Sequence, residues 1–292
     1  MSYITAKTIL QKSSPYWFGT NYNINLYRGC PHNCIYCDSR SKKYGIPEFT
    51  KVKIKKDAIP ILKKELRNKK TKGVVGMGAM SDPYNPLEKK YKQTQQALKL
   101  IKQYNYGVSI DTKSTLIQRD IPLLEEINKK QSTIIKITIT TANDKLSKII
   151  EPQAPPSSER FQTIKKLTQE NIFTGILLMP TLPYITDTTE NIKQIIKQAH
   201  KNNTKFIFPA FGLTLRDQQR KHYYQQLDQH FPGTKEKYQK KYKSQYQCTS
   251  PDHKKLETTL QKECKKYNIL YTMKDIIQKY QKHKKDTQTK LI

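Results

Sequence analysis

Six short runs rich in β-branched residues, at 23–27, 74–77, 108–111, 134–141, 174–179 and 206–211, alternate with amphipathic stretches through the first two thirds of the chain. In the intervening segments apolar residues recur at helical spacing, as in Ala58, Ile61, Leu62 and Leu66, or Ile192, Ile195, Ile196 and Ala199. Helix starts are signalled by Asp57, by Asp120 with Pro122, and by Asp187, whose distance to Glu190 is that of a capping box. Strands that alternate with helices pair in parallel through helical crossovers, so the pattern predicts an α/β sheet or barrel. In such folds chemistry gathers at the C-terminal ends of the strands. The loops to search are therefore 30–37, 80–82, 113–114 and 180–187.

A chain of 292 residues with 35% hydrophobic and 27% charged residues can bury a core under a very polar surface, which excludes global disorder. No apolar run is long enough to span a bilayer and no leader pattern opens the chain, so the reading is a cytoplasmic protein with no membrane partner. The 54 Lys and Arg against 24 Asp and Glu leave a charge of +30, which attracts polyanions such as DNA or RNA. Only seven of the 54 are Arg, however, and a low-GC genome produces the same skew toward Lys. After residue 213 the pattern changes to Tyr-, Gln- and Lys-rich helical segments. The expected organisation is a lead-in over 1–15, a core over 16–213, an accessory region over 214–280 and a charged tail over 281–292.

Five cysteines are too few and too unevenly placed for a disulfide framework. Cys30, Cys34 and Cys37 stand as C-x3-C-x2-C directly after the first expected strand, where one loop can wrap them around an iron–sulfur cubane. Three thiolates satisfy three of four irons and leave one open to a small molecule, which makes a reaction centre rather than an electron relay. The competing reading is zinc held by the three thiols and His32, although His32 interleaves with Cys30 and Cys34 instead of following the paired spacing of common zinc sites.

The segment Cys30-x3-Cys34-x-Tyr36-Cys37 resembles the signature of the radical S-adenosylmethionine (SAM) superfamily. The stretches GMGAMSDPYNPLEKKY, DTKSTLIQRDIPLL, ITITTANDKLSKIIEPQAPPSSER, LLMPTLPYITD and LRDQQRKHYYQQLDQHFPGTKEKYQKKY resemble its branch related to spore photoproduct lyase, often labelled "DNA repair photolyase". The resemblance implies a partial (βα)6 barrel with a C-terminal, mainly helical extension. It also implies a [4Fe–4S] cluster on Cys30, Cys34 and Cys37, SAM on the open iron, and a 5′-deoxyadenosyl radical that takes hydrogen from a substrate. By motif position Tyr36 would lie against the adenine, while Ser81, Asp82, Lys113 and Thr138 would contact the amino acid and ribose parts of SAM. An electron donor such as flavodoxin or ferredoxin would be the protein partner.

One departure limits the inference. Spore photoproduct lyases carry a hydrogen-donating cysteine in an Ala-Cys-Thr-Ser-Asp context, whereas this chain reads Gly78-Ala79-Met80-Ser81-Asp82. Cys248 is the candidate substitute donor, set against the plainer reading of a small buried residue. Arg216 and Arg220, next to His222, Tyr223 and Tyr224, are candidate substrate residues for phosphate and base. Tyr223, Leu227 and Phe231 at i, i+4 and i+8 read instead as a packing stripe. The expected function is a radical SAM enzyme, lyase-like or modifying, acting on nucleic acid in repair or modification. Alternatives are a radical enzyme of peptides, proteins or metabolites, and a non-catalytic zinc or nucleic-acid binder.

Overall fold

The computed structural model describes residues 3–281, so Met1, Ser2 and the charged tail from 282 onward lie outside the described residues. Six parallel strands stand side by side in sequence order: β1 Tyr22–Ile24, β2 Val74–Met77, β3 Gly107–Thr112, β4 Thr133–Thr138, β5 Phe173–Leu178 and β6 Ile207–Pro209. Between them run α1 Ala58–Asn68, α2 Gln93–Gln103, α3 Ile121–Lys130, α4 Asp144–Ile150, α5 Ser157–Gln169 and α6 Thr189–Lys201. Every crossover steps one strand further in the same direction, so the helices cover one face and the sheet curls around the other. Among the described residues no ladder joins β6 back to β1, and a short antiparallel strand, Gln11–Lys12, borders β1 instead. The result is the expected partial (βα)6 barrel.

The period of two along each strand sorts the side chains. Val75, Met77, Val108, Ile110, Ile135, Ile137, Ile176 and Leu178 face outward into one large apolar cluster with Leu62, Leu98, Leu124, Ile164 and Ile195 of the helices. Each such buried aliphatic side chain contributes about 1.5–3 kcal/mol. The alternate residues face the barrel interior. There the ammonium of Lys136 lies 2.6 Å from Asp111 and 4.5 Å from the ring centre of Phe18. At 2% exposure such a charge is tolerable only because it is paired.

The chain after β6 adds an antiparallel pair, β7 Gly212–Thr214 with β8 Gln247–Thr249, and helices α7 Asp217–His230, α8 Thr234–Tyr242, α9 His253–Lys266 and α10 Met273–Gln281. Leu256, Leu260 and Cys264 of α9 join the outer cluster beside α6. Tyr223, Leu227, Tyr238 and Tyr242 pack with Ile35 and Tyr36 of the cysteine loop, so the stripe on α7 is a packing face, with Phe231 partly buried at its end. Ile276 and Tyr280 of α10 close the bottom of the barrel with Phe18, whose ring meets Phe208 at 5.2 Å across the gap between β6 and β1. No helix among the described residues is long and apolar enough to cross a membrane.

Several local expectations fail for tertiary reasons. The run 23–27 divides: β1 ends at Ile24, and Tyr27–Arg28 pairs with Lys53–Lys55 in a separate small sheet. Asp187 does not cap α6. Thr188 does, accepting from the Asn191 amide, because the Asp187 carboxylate is taken by the Ser250 hydroxyl at 2.6 Å. Asp57 makes no capping bond, and Asp120 is held by Arg119 and Gln95 rather than by a helix start.

His222 on α7 is partly buried, and its desolvation together with the nearby charge of Arg40 lowers its pKa from 6.5 to about 4. The unfolded chain thus binds a proton that the native chain refuses, so this stability is complete above pH 6.5 and declines as the pH falls below it. The unfolding free energy from urea titrations run at successively lower pH from neutrality should fall by on the order of 1 kcal/mol by about pH 5, and His222→Gln should remove most of that slope.

Candidate active site

The three cysteines sit on a loop whose shape is set by its backbone. Gly29 adopts φ +83°, and a Cβ there would stand 2.6 Å from the Phe49 carbonyl that accepts the Cys30 amide bond. Asn33 also takes a left-handed conformation. The loop is tied to the α4–α5 connection by the Ile35 amide on the Ile150 carbonyl, 3.0 Å, and by the Gln153 amide on the His32 carbonyl, 3.1 Å. Burial, then the charges of Asp82 and Cys37, push the Cys30 thiol up to about 12. Cys34 and Cys37 are raised as well, by burial, while Lys113 draws both back.

All three cysteines line a cavity of about 490 Å³ that opens at the C-terminal ends of the strands. Tyr36, Ser81, Asp82, Lys113 and Thr138 line the same cavity, so the structure brings the sequence candidates for ligand binding together. Gly78 makes this possible just after β2: with φ +105°, its Cβ would fall 2.1 Å from the Asp111 carbonyl oxygen. The Ser81 hydroxyl donates to the Gly29 carbonyl at 2.5 Å. The ammonium of Lys113 lies 5.7 Å from the ring centre of Tyr36. Desolvation would lower the pKa of Lys113, but Cys34 and Glu151 outweigh it and keep the side chain charged.

Asp82 has a more internal role than its motif position suggests. Its carboxylate accepts from the Tyr84 amide at 2.9 Å, the Thr112 hydroxyl at 2.6 Å and the Lys113 amide at 2.8 Å, and lies 3.3 Å from His32 Nε2. Burial pushes its pKa up, yet the charge of His32 and these hydrogen bonds prevail and hold it at about 2. With nearly all its lone pairs engaged, Asp82 braces the Lys113 backbone rather than offering itself to a ligand.

Two functional groups escaped the sequence reading. Glu151, fully buried, accepts a hydrogen bond from the Tyr36 hydroxyl and pairs with Arg160 at 2.5 Å. Arg160 in turn donates to the Thr138 carbonyl at 3.0 Å and the Pro155 carbonyl at 2.7 Å. Their spacing in the chain carries no signal. Asp111 also lines the cavity, and a charged residue inside an otherwise apolar strand is the signal that could have found it and Lys136.

Three candidates stand apart. Gln247 and Thr249 line the cavity, but Cys248 between them points the other way, fully buried among Tyr223, Leu227, Tyr238 and Tyr242. As a strand neighbour of opposite face it offers no thiol to the cavity, which corrects the hydrogen-donor expectation. Arg220 donates to the carbonyls of Leu215, Lys243, Ser244 and Gln245 and thereby clamps the 243–245 turn, so its guanidinium is a structural strap rather than a substrate contact. Arg216 pairs with Asp38 at 2.6 Å and stacks between Tyr44 and Tyr246, again outside the cavity lining.

The residues present fit an iron–sulfur cluster. Three soft sulfur donors on one loop, Cys34 buried and Cys30 and Cys37 half-buried, are the donor set that such a cluster takes. His32, the fourth ligand of the zinc reading, is turned to Asp82 instead.

Comparison with known proteins agrees with this geometry. Residues 24–199 match the radical SAM superfamily. An uncharacterized protein of Methanocaldococcus jannaschii is 33% identical over 221 residues, 75% of this chain and 79% of that one. One of Mycobacterium bovis is 28% identical over 202 residues, 67% of this chain but only 59% of the relative. Spore photoproduct lyase complexed with dinucleoside spore photoproduct has a similar fold, with a TM-score of 0.69 at 14% identity over 91% of this chain and 79% of that one. A variant of that enzyme with bound AdoMet and the same dinucleoside aligns with a TM-score of 0.66 at 16% identity, covering 90% and 78%. From the superfamily match over residues 24–199, more than half of its length, the chain belongs to the radical SAM superfamily.

Proposed function

We propose that the chain holds a [4Fe–4S] cluster on Cys30, Cys34 and Cys37 and abstracts a hydrogen atom from a nucleic acid, repairing or modifying a base or sugar. The observation that carries this reading is the convergence of three thiols from one loop with Lys113, Ser81, Thr138 and Tyr36 on one cavity at the strand ends. When bound, the cluster supplies the electron that splits SAM into methionine and the hydrogen-abstracting 5′-deoxyadenosyl radical.

The chain's own residues do the positioning. Lys113, kept charged, binds the carboxylate of the ligand, and the hydroxyls of Ser81 and Thr138 hydrogen-bond its polar groups. Tyr36 offers its ring face to the adenine, since its hydroxyl is committed to Glu151.

The nucleic-acid substrate is supported by the charge of +30 and by a fold similar to an enzyme seen with a dinucleoside photoproduct. The chemistry differs from dimer reversal assisted by a protein thiol. Ala79 lines the cavity where spore photoproduct lyases carry their donor cysteine, and among the described residues the cavity's only thiols are the three metal ligands.

Anaerobically reconstituted protein should bind about four irons with matching sulfide, and Cys34→Ala should lose the cluster and SAM cleavage together; about one zinc and no sulfide would sink the assignment. Lys113→Met should weaken SAM binding roughly tenfold or more by equilibrium titration with the iron content unchanged, the loss expected for one charge-assisted hydrogen bond. DNA or RNA should raise 5′-deoxyadenosine production above the substrate-free rate, with binding that weakens steeply as salt increases. Failure of both polymers to do so counts against the substrate class while leaving the radical chemistry intact.

A further inference from the structure

Three carboxylates among the described residues line the cavity, and two of them are spent within the protein. Asp38 accepts from the Thr214 hydroxyl on one oxygen and from Tyr44 and Arg216 on the other, and Asp82 is engaged at both of its oxygens. Asp111 differs. Its Oδ1 is buried against the Lys136 ammonium at 2.6 Å, whereas among the described residues its Oδ2 has no hydrogen-bond partner, and the side chain is 19% exposed. Register makes the pair, since Asp111 stands opposite Lys136 on the neighbouring strand. Gly78 leaves room for it, because a Cβ there would come within 2.8 Å of the Asp111 Cβ. Asp111 precedes Lys113 by two residues, so it faces the same cavity about 7 Å deeper along the strand. Met80, Met179, Pro180 and Phe211 give that cavity apolar walls, against which a free carboxylate oxygen is costly without a donor.

We propose that Asp111 is a specificity residue, whose free oxygen accepts a hydrogen bond from an N–H of the substrate base, deeper in the barrel than the ligand held by Lys113. The inference rests on the nucleic-acid reading above and adds which group of the substrate the site recognises. An ionised carboxylate can only accept, so its partner must carry N–H or O–H. Inside a DNA strand the sugar hydroxyls are esterified, and the donors that remain are those of the bases. Lys136 holds one oxygen of Asp111 and so orients the other toward the cavity. An acceptor fixed in this way rejects a base whose N–H groups are blocked, because the oxygen is then left unpaired in a desolvated site.

The test uses the full chain, reconstituted anaerobically with its iron quantified, and single-stranded DNA and RNA homo-oligomers of each base as probes, each beside a counterpart methylated at the base N–H groups. Methylation spares the ribose 2′-hydroxyl, so a contact to the sugar would not respond to it. With the unaltered chain, an oligomer that stimulates 5′-deoxyadenosine production should do so about tenfold or more better than its methylated counterpart. Asp111→Asn keeps the shape of the side chain and, with Lys136 claiming the amide oxygen, turns N–H groups toward the cavity; it should bring that preference close to one. Asp111→Leu with Lys136→Met replaces the ion pair by apolar groups, an exchange that a purely space-filling pair tolerates. It too should abolish the preference, with iron content and SAM affinity by equilibrium titration unchanged. A preference that survives Asp111→Asn, weakened SAM affinity in both variants, or loss of iron from both overturns the assignment of Asp111 alone. Failure of every oligomer to stimulate the unaltered chain overturns the nucleic-acid reading, and the assignment with it.

Discussion

Glu151 is a fully buried carboxylate on which three parts of the molecule depend. One oxygen receives the hydroxyl of Tyr36 from the cysteine loop, and the other meets the guanidinium of Arg160. Arg160 carries the connection onward to the carbonyl at the end of β4 and to the turn before α5. Burial favours the neutral form of Glu151, but Arg160 and Lys113 overcome it and keep the carboxyl charged. Removing one partner of such a pair leaves an uncompensated charge in the interior, at a cost of about 3–5 kcal/mol. The cysteine loop is thus held from behind by electrostatics as well as by its two backbone bonds to Ile150 and Gln153.

A division of labour among charged groups follows. Glu151, Arg160 and Asp82 are buried and spend their hydrogen-bonding capacity on the protein. Lys113, partly exposed in the cavity, is the cation left for a ligand, and Asp82 fixes the backbone from which it projects. Preorganisation of this kind lets a site hold a charged ligand without reorganising when it binds. Deeper in the barrel the Lys136–Asp111 pair, sealed beneath by Phe18 and α10, fills the interior with a matched charge rather than a void.

The alternation of apolar and β-branched runs made six strands and their helices legible, because the period of two and the period of 3.6 are imposed locally by the backbone. The three cysteines were legible for the same reason, since ligands on one loop are close in sequence and in space. Glu151 with Arg160, nine positions apart, were not legible as part of the site, because their partners Tyr36 and Thr138 come from other elements. Asp187 shows the converse: its spacing to Glu190 promised a cap, and Ser250, 63 residues away, claimed it.

The amino-acid sequence by itself determined an α/β chain with a loop of three thiols after its first strand, and so the class of chemistry. Tertiary structure decided which polar residues face the cavity. It set Ala79 toward the cavity and turned Cys248 into the packing behind β8, and it spent Arg220 on a turn. The physical reason is that facing is fixed by strand register and by competition among distant hydrogen-bond partners, neither of which is encoded in the spacing of residues along the chain.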